Sequence, residues 1–249
     1  MATTFPGGTS VTELEVYSEI APDGLAGGSP HLHLASTECY VVVGGRGALH
    51  TIDAEGFHEI PLRPGAVVWF TPGTIHRALD HDALRVLVVM GNAGLPEAGD
   101  AVMTFPADIV RDPAQYRTAA TLPARDTTAE RARDALARRD FAVEGYLAIR
   151  DAILAGDEGP LRAFHQAAAE IVRERAGGWS PLISDGPLAQ AEHSLAHVED
   201  LARGRFSHLS NASVHRAPEI VGEPSFGMCG RLRAYDVRGG ERLEATRTA

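Results

Sequence analysis

Seven short apolar runs follow one another between His31 and Met90, each closed by residues that favour turns. They are His31–Leu34, Glu38–Val43, Ala48–Ile52, Phe57–Leu62, Ala66–Phe70, Ile75–Leu79 and Leu84–Met90. The separators are Gly44-Gly45-Arg46-Gly47, Asp53-Ala54-Glu55-Gly56, Arg63-Pro64-Gly65, Thr71-Pro72-Gly73 and Asp80-His81-Asp82. Ahead of them, Val11 to Ile20 alternates apolar and polar residues, and a Gly- and Pro-rich loop follows. Runs this short cannot be core helices, and many short strands at regular spacing build an antiparallel sandwich or barrel.

The pattern changes after Met90. Residues 91–126 are irregular, with one short helical turn expected at Pro113–Arg117. Thr127-Thr128-Ala129-Glu130 is a capping-box signature that opens a helix running to about Gly156. A second helix starts near Asp157 and Pro160 and ends at Gly177-Gly178, and a third runs from about Pro187 to Ala202. Their apolar residues recur at three- and four-residue steps, which implies a small helical bundle or arm. Residues 205–249 return to mixed, β-like character, with alternation at Arg231–Val237. The expected division is therefore 1–105 as a β-barrel, 106–126 as a linker, 127–204 as a helical region and 205–249 as a mixed segment packing on the barrel. The fold class is mainly β with an α-helical extension.

Within the barrel region, chemistry concentrates in two stretches. Residues 30–47 read PHLHLASTECYVVVGGRG, and residues 64–80 read PGAVVWFTPGTIHRALD. His31 and His33 are two apart, so on a strand both imidazoles leave the same face. Ala35-Ser36-Thr37 can fold the chain back so that Glu38 stands beside them. His76 follows the tight Pro72-Gly73 turn. Three imidazoles and one carboxylate suit a divalent transition metal, with iron, manganese, nickel and zinc the leading choices and cobalt or copper also compatible. Six-coordination would leave two positions open.

Other residues carry weaker signals. Tyr40 shares the face of Glu38 and is a candidate substrate contact, as is Arg77. Cys39 alternates away from that face and reads as a small core residue. His193 and His197 are one helical turn apart, but Ser194 stands where a zinc metalloprotease motif needs Glu, so a solvated helix face is expected. His50 reads as a hydrogen-bonded barrel histidine.

Composition narrows the function classes. All 23 basic residues are arginine, which excludes a lysine Schiff base, a phosphate-loop lysine and a lysine general base. Two cysteines, Cys39 and Cys229, make neither a disulfide framework nor a cysteine zinc cluster. The net charge of −10 is concentrated in residues 1–105, with 12 acidic and 4 basic side chains. That field repels phosphate backbones and anionic membrane faces, so neither nucleic acid nor membrane is an expected partner. No apolar run approaches a bilayer-spanning length and the N-terminus lacks a secretory pattern, which places the protein in the cytoplasm as an expectation.

The two stretches resemble the two motifs of the cupin family of small β-barrels. His31, His33, Glu38 and Gly45 match the first motif, and Gly65, Pro72, Gly73 and His76 match the second. The glycine expected before His31 is displaced among Gly24, Gly27 and Gly28, and Asp80 stands for the closing Asn. The resemblance spans roughly residues 11–92 and implies an antiparallel jelly-roll barrel with one metal bound by the four matched side chains. It implies a small-molecule enzyme of dioxygenase type first. A sugar or sugar-phosphate isomerase or epimerase comes second, and a non-enzymatic binding or sensing module third. It also implies a homodimer.

Overall fold

The computed structural model describes residues 5–244. Its strands are β1 (Ser10–Val16), β2 (His31–His33), β3 (Glu38–Asp53), β4 (Gly56–Leu62), β5 (Val67–Phe70), β6 (Ile75–Met90), β7 (Ala101–Met103), β8 (His215–Arg216), β9 (Ser225–Phe226), β10 (Gly230–Ala234) and β11 (Glu241–Arg242). Nine of them join one antiparallel sheet in the order β4-β3-β6-β1-β10-β9, with β2 set against β6 and β7, and β5 against β3. β8 and β11 form a separate two-stranded ribbon.

The two long strands depart from the expected set. Gly44–Gly47 and Asp80–Asp82 do not reverse the chain; β3 and β6 run through them for 16 residues each. The residues there are irregularities in one long pairing, with register shifts between Val42 and Gly47. The glycines serve close approach of two backbones rather than a turn. Gly45 has φ +69°, and a Cβ on it would fall 2.1 Å from the Ala83 carbonyl oxygen. Such bulges bend and twist a strand, which curls the sheet toward a barrel. The expected turns at Asp53–Gly56, Arg63–Gly65 and Thr71–Gly73 do separate consecutive strands.

The helices are α1 (Ala107–Val110), α2 (Pro113–Ala120), α3 (Thr128–Leu154), α4 (Gly159–Ala176), α5 (Ser180–Ile183) and α6 (Ala189–Ala202). The capping box is present: Thr127 Oγ1 accepts from the Glu130 amide, and the Glu130 carboxylate accepts from the Thr127 amide. α3 and α4 lie against the barrel. Ala142, Tyr146, Phe164 and Ile171 share a core with Leu32, Ile52, Ile75 and Val102 from the strands. A second core fills the barrel, built from Leu14, Tyr40, Val42, Leu49, Ala78, Val86 and Val88. Burying both sets from water supplies the main drive to fold.

α6 does not join a bundle. None of its residues is buried, and Leu195, Val198 and Leu201 are 65%, 63% and 52% exposed. The region read as irregular holds β7, which pairs with β2 and thus backs the strand of His31 and His33. The C-terminal segment returns to the sheet: β10 pairs with β1 along its whole length. Among the described residues no helix is long and apolar enough to cross a membrane.

Candidate metal centre

His31, His33, Glu38 and His76 meet inside the barrel, and all four are buried. Strand register brings them together. His31 on β2 stands directly across from His76 on β6, and alternation puts His33 on the same side as His31. Glu38 opens β3, which lies beside β6. One ligating atom from each residue lies within 4.8 Å of all the others. His31 Nε2 and His76 Nε2 are 3.1 Å apart. Glu38 Oε2 is 3.2 Å from His33 Nε2 and 3.1 Å from His76 Nε2.

The outer nitrogens explain why the inner ones converge. His31 Nδ1 is 2.9 Å from the Ser29 carbonyl oxygen, and His76 Nδ1 is 3.2 Å from that of Thr74. His33 Nδ1 is 2.8 Å from Asp100 Oδ1. Each partner is an acceptor, so each Nδ1 donates and each Nε2 is turned inward. This is the arrangement that orients histidines on a metal. Asp100 is itself fixed, since its other oxygen accepts from the Ser36 amide at 2.9 Å.

The electrostatics are those of a site that needs a cation. Burial holds His31 well below the usual imidazole range, reinforced by His76 and His33. Burial also pushes His33 down, but the hydrogen bond to Asp100 and the adjacent Glu38 carboxylate outweigh it and raise His33 to about 9. Burial pushes Glu38 up; the neighbouring His76 and His33 overcome it and hold the carboxyl well below the carboxylate range. Despite its close neighbours, buried Glu38 Oε2 has no hydrogen-bond partner of proper geometry. A buried carboxylate beside imidazole nitrogens needs a positive charge near it, which a protonated His33 supplies in the metal-free site and a bound cation would supply in its place. Donors about 2.1 Å from one ion and about 90° apart lie about 3.0 Å from one another, close to the separations seen here.

A cavity of about 390 Å³ opens on this cluster. Its wall includes Leu14, Val88, Met90, Arg138, Met228 and Cys229. A larger apolar cavity, about 610 Å³, lies between α1, α3 and α4 and touches none of the four residues.

A model of the cupin domain matches residues 16–90. This segment is a cupin domain. The four clustered residues all fall inside it, and Asp100, Arg138 and Cys229 fall outside. No curated protein matches the chain. A solved structure from Acidithiobacillus ferrooxidans, named as a candidate sugar phosphate isomerase, is 26% identical over 25% of this chain and 39% of its own, with a TM-score of 0.22. An uncharacterized conserved protein with a double-stranded beta-helix domain from Klebsiella pneumoniae is 18% identical over 38% of this chain and 75% of its own, with a TM-score of 0.27. A predicted oxalate decarboxylase from Thermotoga maritima is 20% identical over 33% of this chain and 63% of its own, with a TM-score of 0.24. This chain thus spans less than half of the Acidithiobacillus protein.

The remaining candidates take other places. Tyr40 is fully buried behind the cupin cluster, its ring edge-on to His76 at 6.4 Å and its hydroxyl 3.5 Å from Cys229 Sγ. Arg77 neighbours His76 on β6 and so faces the opposite side of the strand. Its guanidinium is taken up by Asp23 and by the Gly28 carbonyl. Neither residue lines the cavity at the cluster. His50 is buried and bonded to Glu59 at 3.0 Å and Tyr146 at 3.3 Å. His193 and His197 lie on the exposed α6, where His197 stacks on His208 at 4.2 Å. Among the described residues the barrel cluster is the group placed to hold a metal.

Asp100, Cys229 and Arg138 were not singled out as site residues by the sequence. Asp100 sits after Gly99 at the end of a Gly-rich loop, a weak local signal at most. Arg138 and Cys229 come from a helix and a turn with no motif of their own.

Proposed function

We propose that the chain is a mononuclear metal-dependent enzyme of dioxygenase type acting on a small molecule, with His31, His33, Glu38 and His76 as the metal ligands. The observation that carries this reading is the convergence of three inward-turned Nε2 atoms on the orphaned oxygen of buried Glu38. Iron, manganese, nickel and zinc all suit these donors, and iron fits the proposed reaction. A metal held there supplies a Lewis-acidic, redox-capable centre with positions left for an incoming molecule.

The chain's own groups do the rest. Asp100 holds the His33 ring in its tautomer and orientation. Leu14, Val88 and Met90 give the cavity an apolar wall that limits water around the reacting centre. Arg138 lies on the same wall, its Nη1 and Nη2 donating to the Ala120 and Gly227 carbonyls, so it holds the wall's shape. The isomerase reading needs a phosphate site, and the barrel arginines do not supply one at this cavity: Arg46 pairs with Asp82 and Arg77 with Asp23.

The test is elemental analysis of protein purified without added metal, followed by oxygen-electrode assays against thiols, diketones, catechols and small carboxylic acids. Stoichiometric iron with substrate-dependent oxygen uptake supports the proposal. Zinc or nickel with no uptake from any of these classes rejects the dioxygenase reading.

A further inference from the structure

Cys229 lies 198 residues from His31 in the chain, yet its Sγ is 3.8 Å from His31 Nε2 and 3.5 Å from the Tyr40 hydroxyl. It rides on the tight turn between β9 and β10, closed by the Gly227 amide donating to the Gly230 carbonyl at 2.8 Å. Three further hydrogen bonds pin this turn to the barrel mouth. The Ser29 amide donates to the Met228 carbonyl at 2.8 Å. The Tyr17 hydroxyl and Arg138 Nη2 both donate to the Gly227 carbonyl, each at 3.0 Å.

Two glycines let the turn seat this deeply. A Cβ on Gly28 would fall 2.5 Å from Cys229 Cα, and one on Gly230 would fall 2.1 Å from the Glu15 carbonyl oxygen. Backbone contacts this close need residues without side chains at both places. Gly28, Ser29 and His31 belong to one short stretch, so the segment that presents His31 also receives Cys229. The thiol is buried and lines the same cavity as His31, His33 and Glu38.

The geometry suits shared coordination. A sulfur about 2.3 Å and a nitrogen about 2.1 Å from one ion lie about 3.1–3.6 Å apart at octahedral to tetrahedral angles. The observed 3.8 Å is longer than that range, and Cys229 lies outside the set of four whose ligand atoms are within 4.8 Å of one another, so coordination requires its Sγ to move toward the cluster. Glu38 Oε2, buried and without a well-aligned hydrogen bond, belongs to a residue that lines the same cavity as Cys229.

We propose that Cys229 is a fifth protein ligand of this centre, a thiolate delivered by the C-terminal turn to the metal held by the barrel. This rests on the reading of His31, His33, Glu38 and His76 as ligands. When the bond forms, the S–H bond breaks and its proton passes to solvent; nothing is oxidised or reduced. A thiolate makes the donor set softer, which favours zinc, cobalt and iron(II) over manganese or magnesium.

The test is cobalt(II) titration of the metal-free full-length chain, read by visible ligand-field bands for occupancy and by the near-ultraviolet thiolate-to-cobalt charge-transfer band. The expected result is one equivalent of cobalt with a charge-transfer band that Cys39→Ser keeps and Cys229→Ser loses, while Cys229→Ser still shows the visible bands. In competition titrations Cys229→Ser weakens zinc by about tenfold or more and manganese by much less. The wild-type spectrum decides even if the variant misfolds. Visible bands at one equivalent without the charge-transfer band overturn the thiolate ligand and spare the four-residue site. No cobalt uptake at all overturns both.

Discussion

His33 and Asp100 are 67 residues apart in the chain and joined by a 2.8 Å hydrogen bond in the fold. The bond crosses from the cupin segment to the loop before β7, and it sets which nitrogen of His33 faces the cluster. Asp100→Ala is therefore expected to weaken metal binding by about 10- to 100-fold while leaving the circular-dichroism spectrum intact. Asp100→Asn, which keeps an acceptor oxygen, is expected to lose less. Equal affinity in wild type and Asp100→Ala would show that the bond has no part in holding the site.

The same pair sets a pH dependence. In metal-free protein His33 is raised to about 9, above the ordinary 6.5, so the stability it contributes is complete below pH 6.5 and lost as pH rises through about 9. The melting temperature of the metal-free protein is expected to fall across that window, and Asp100→Asn to flatten the fall. Metal affinity runs the other way and rises with pH, because His33 must release the proton on Nε2 to bind. A melting temperature that climbs between pH 6.5 and 9 contradicts the assignment.

Arg77 separates a structural from a substrate role. It is fully buried and paired with Asp23, which is half-buried. Removing Arg77 leaves the Asp23 carboxylate and the Gly28 carbonyl without their donor, at a cost of about 1–3 kcal/mol. Arg77→Ala is expected to show that loss in urea unfolding, with unchanged metal stoichiometry. A stable Arg77→Ala variant with impaired substrate binding would return Arg77 to the substrate.

Much of this was legible in residues 30–80, and the rest has physical reasons for being hidden. His31, His33, Glu38 and His76 announce themselves because strand alternation and turn chemistry are local rules. The strand breaks expected at Gly44–Gly47 and Asp80–Asp82 failed because glycine reads alike whether it reverses a chain or admits a neighbouring backbone; Ala83 across from Gly45 decides it. β7 is only three residues long and carries no periodicity. Leu195, Val198 and Leu201 form a helical stripe, but a stripe does not say what covers it, and among the described residues nothing buries it. Asp100 and Cys229 reach the site only through tertiary pairing, which no spacing rule anticipates.

His76 is the ligand from the second motif and is fully buried. His76→Ala is expected to abolish stoichiometric metal binding and to leave the barrel folded, as judged by circular dichroism. Full occupancy in that variant would refute a four-ligand site.

The central claim is that three imidazoles and Glu38 surround one metal ion, and anomalous diffraction from crystals of metal-replete protein tests it most directly. A single anomalous peak is expected about 2.0–2.3 Å from the Nε2 atoms of His31, His33 and His76 and from Glu38 Oε2. No peak among these four atoms, or a peak at His193 and His197 instead, would contradict it.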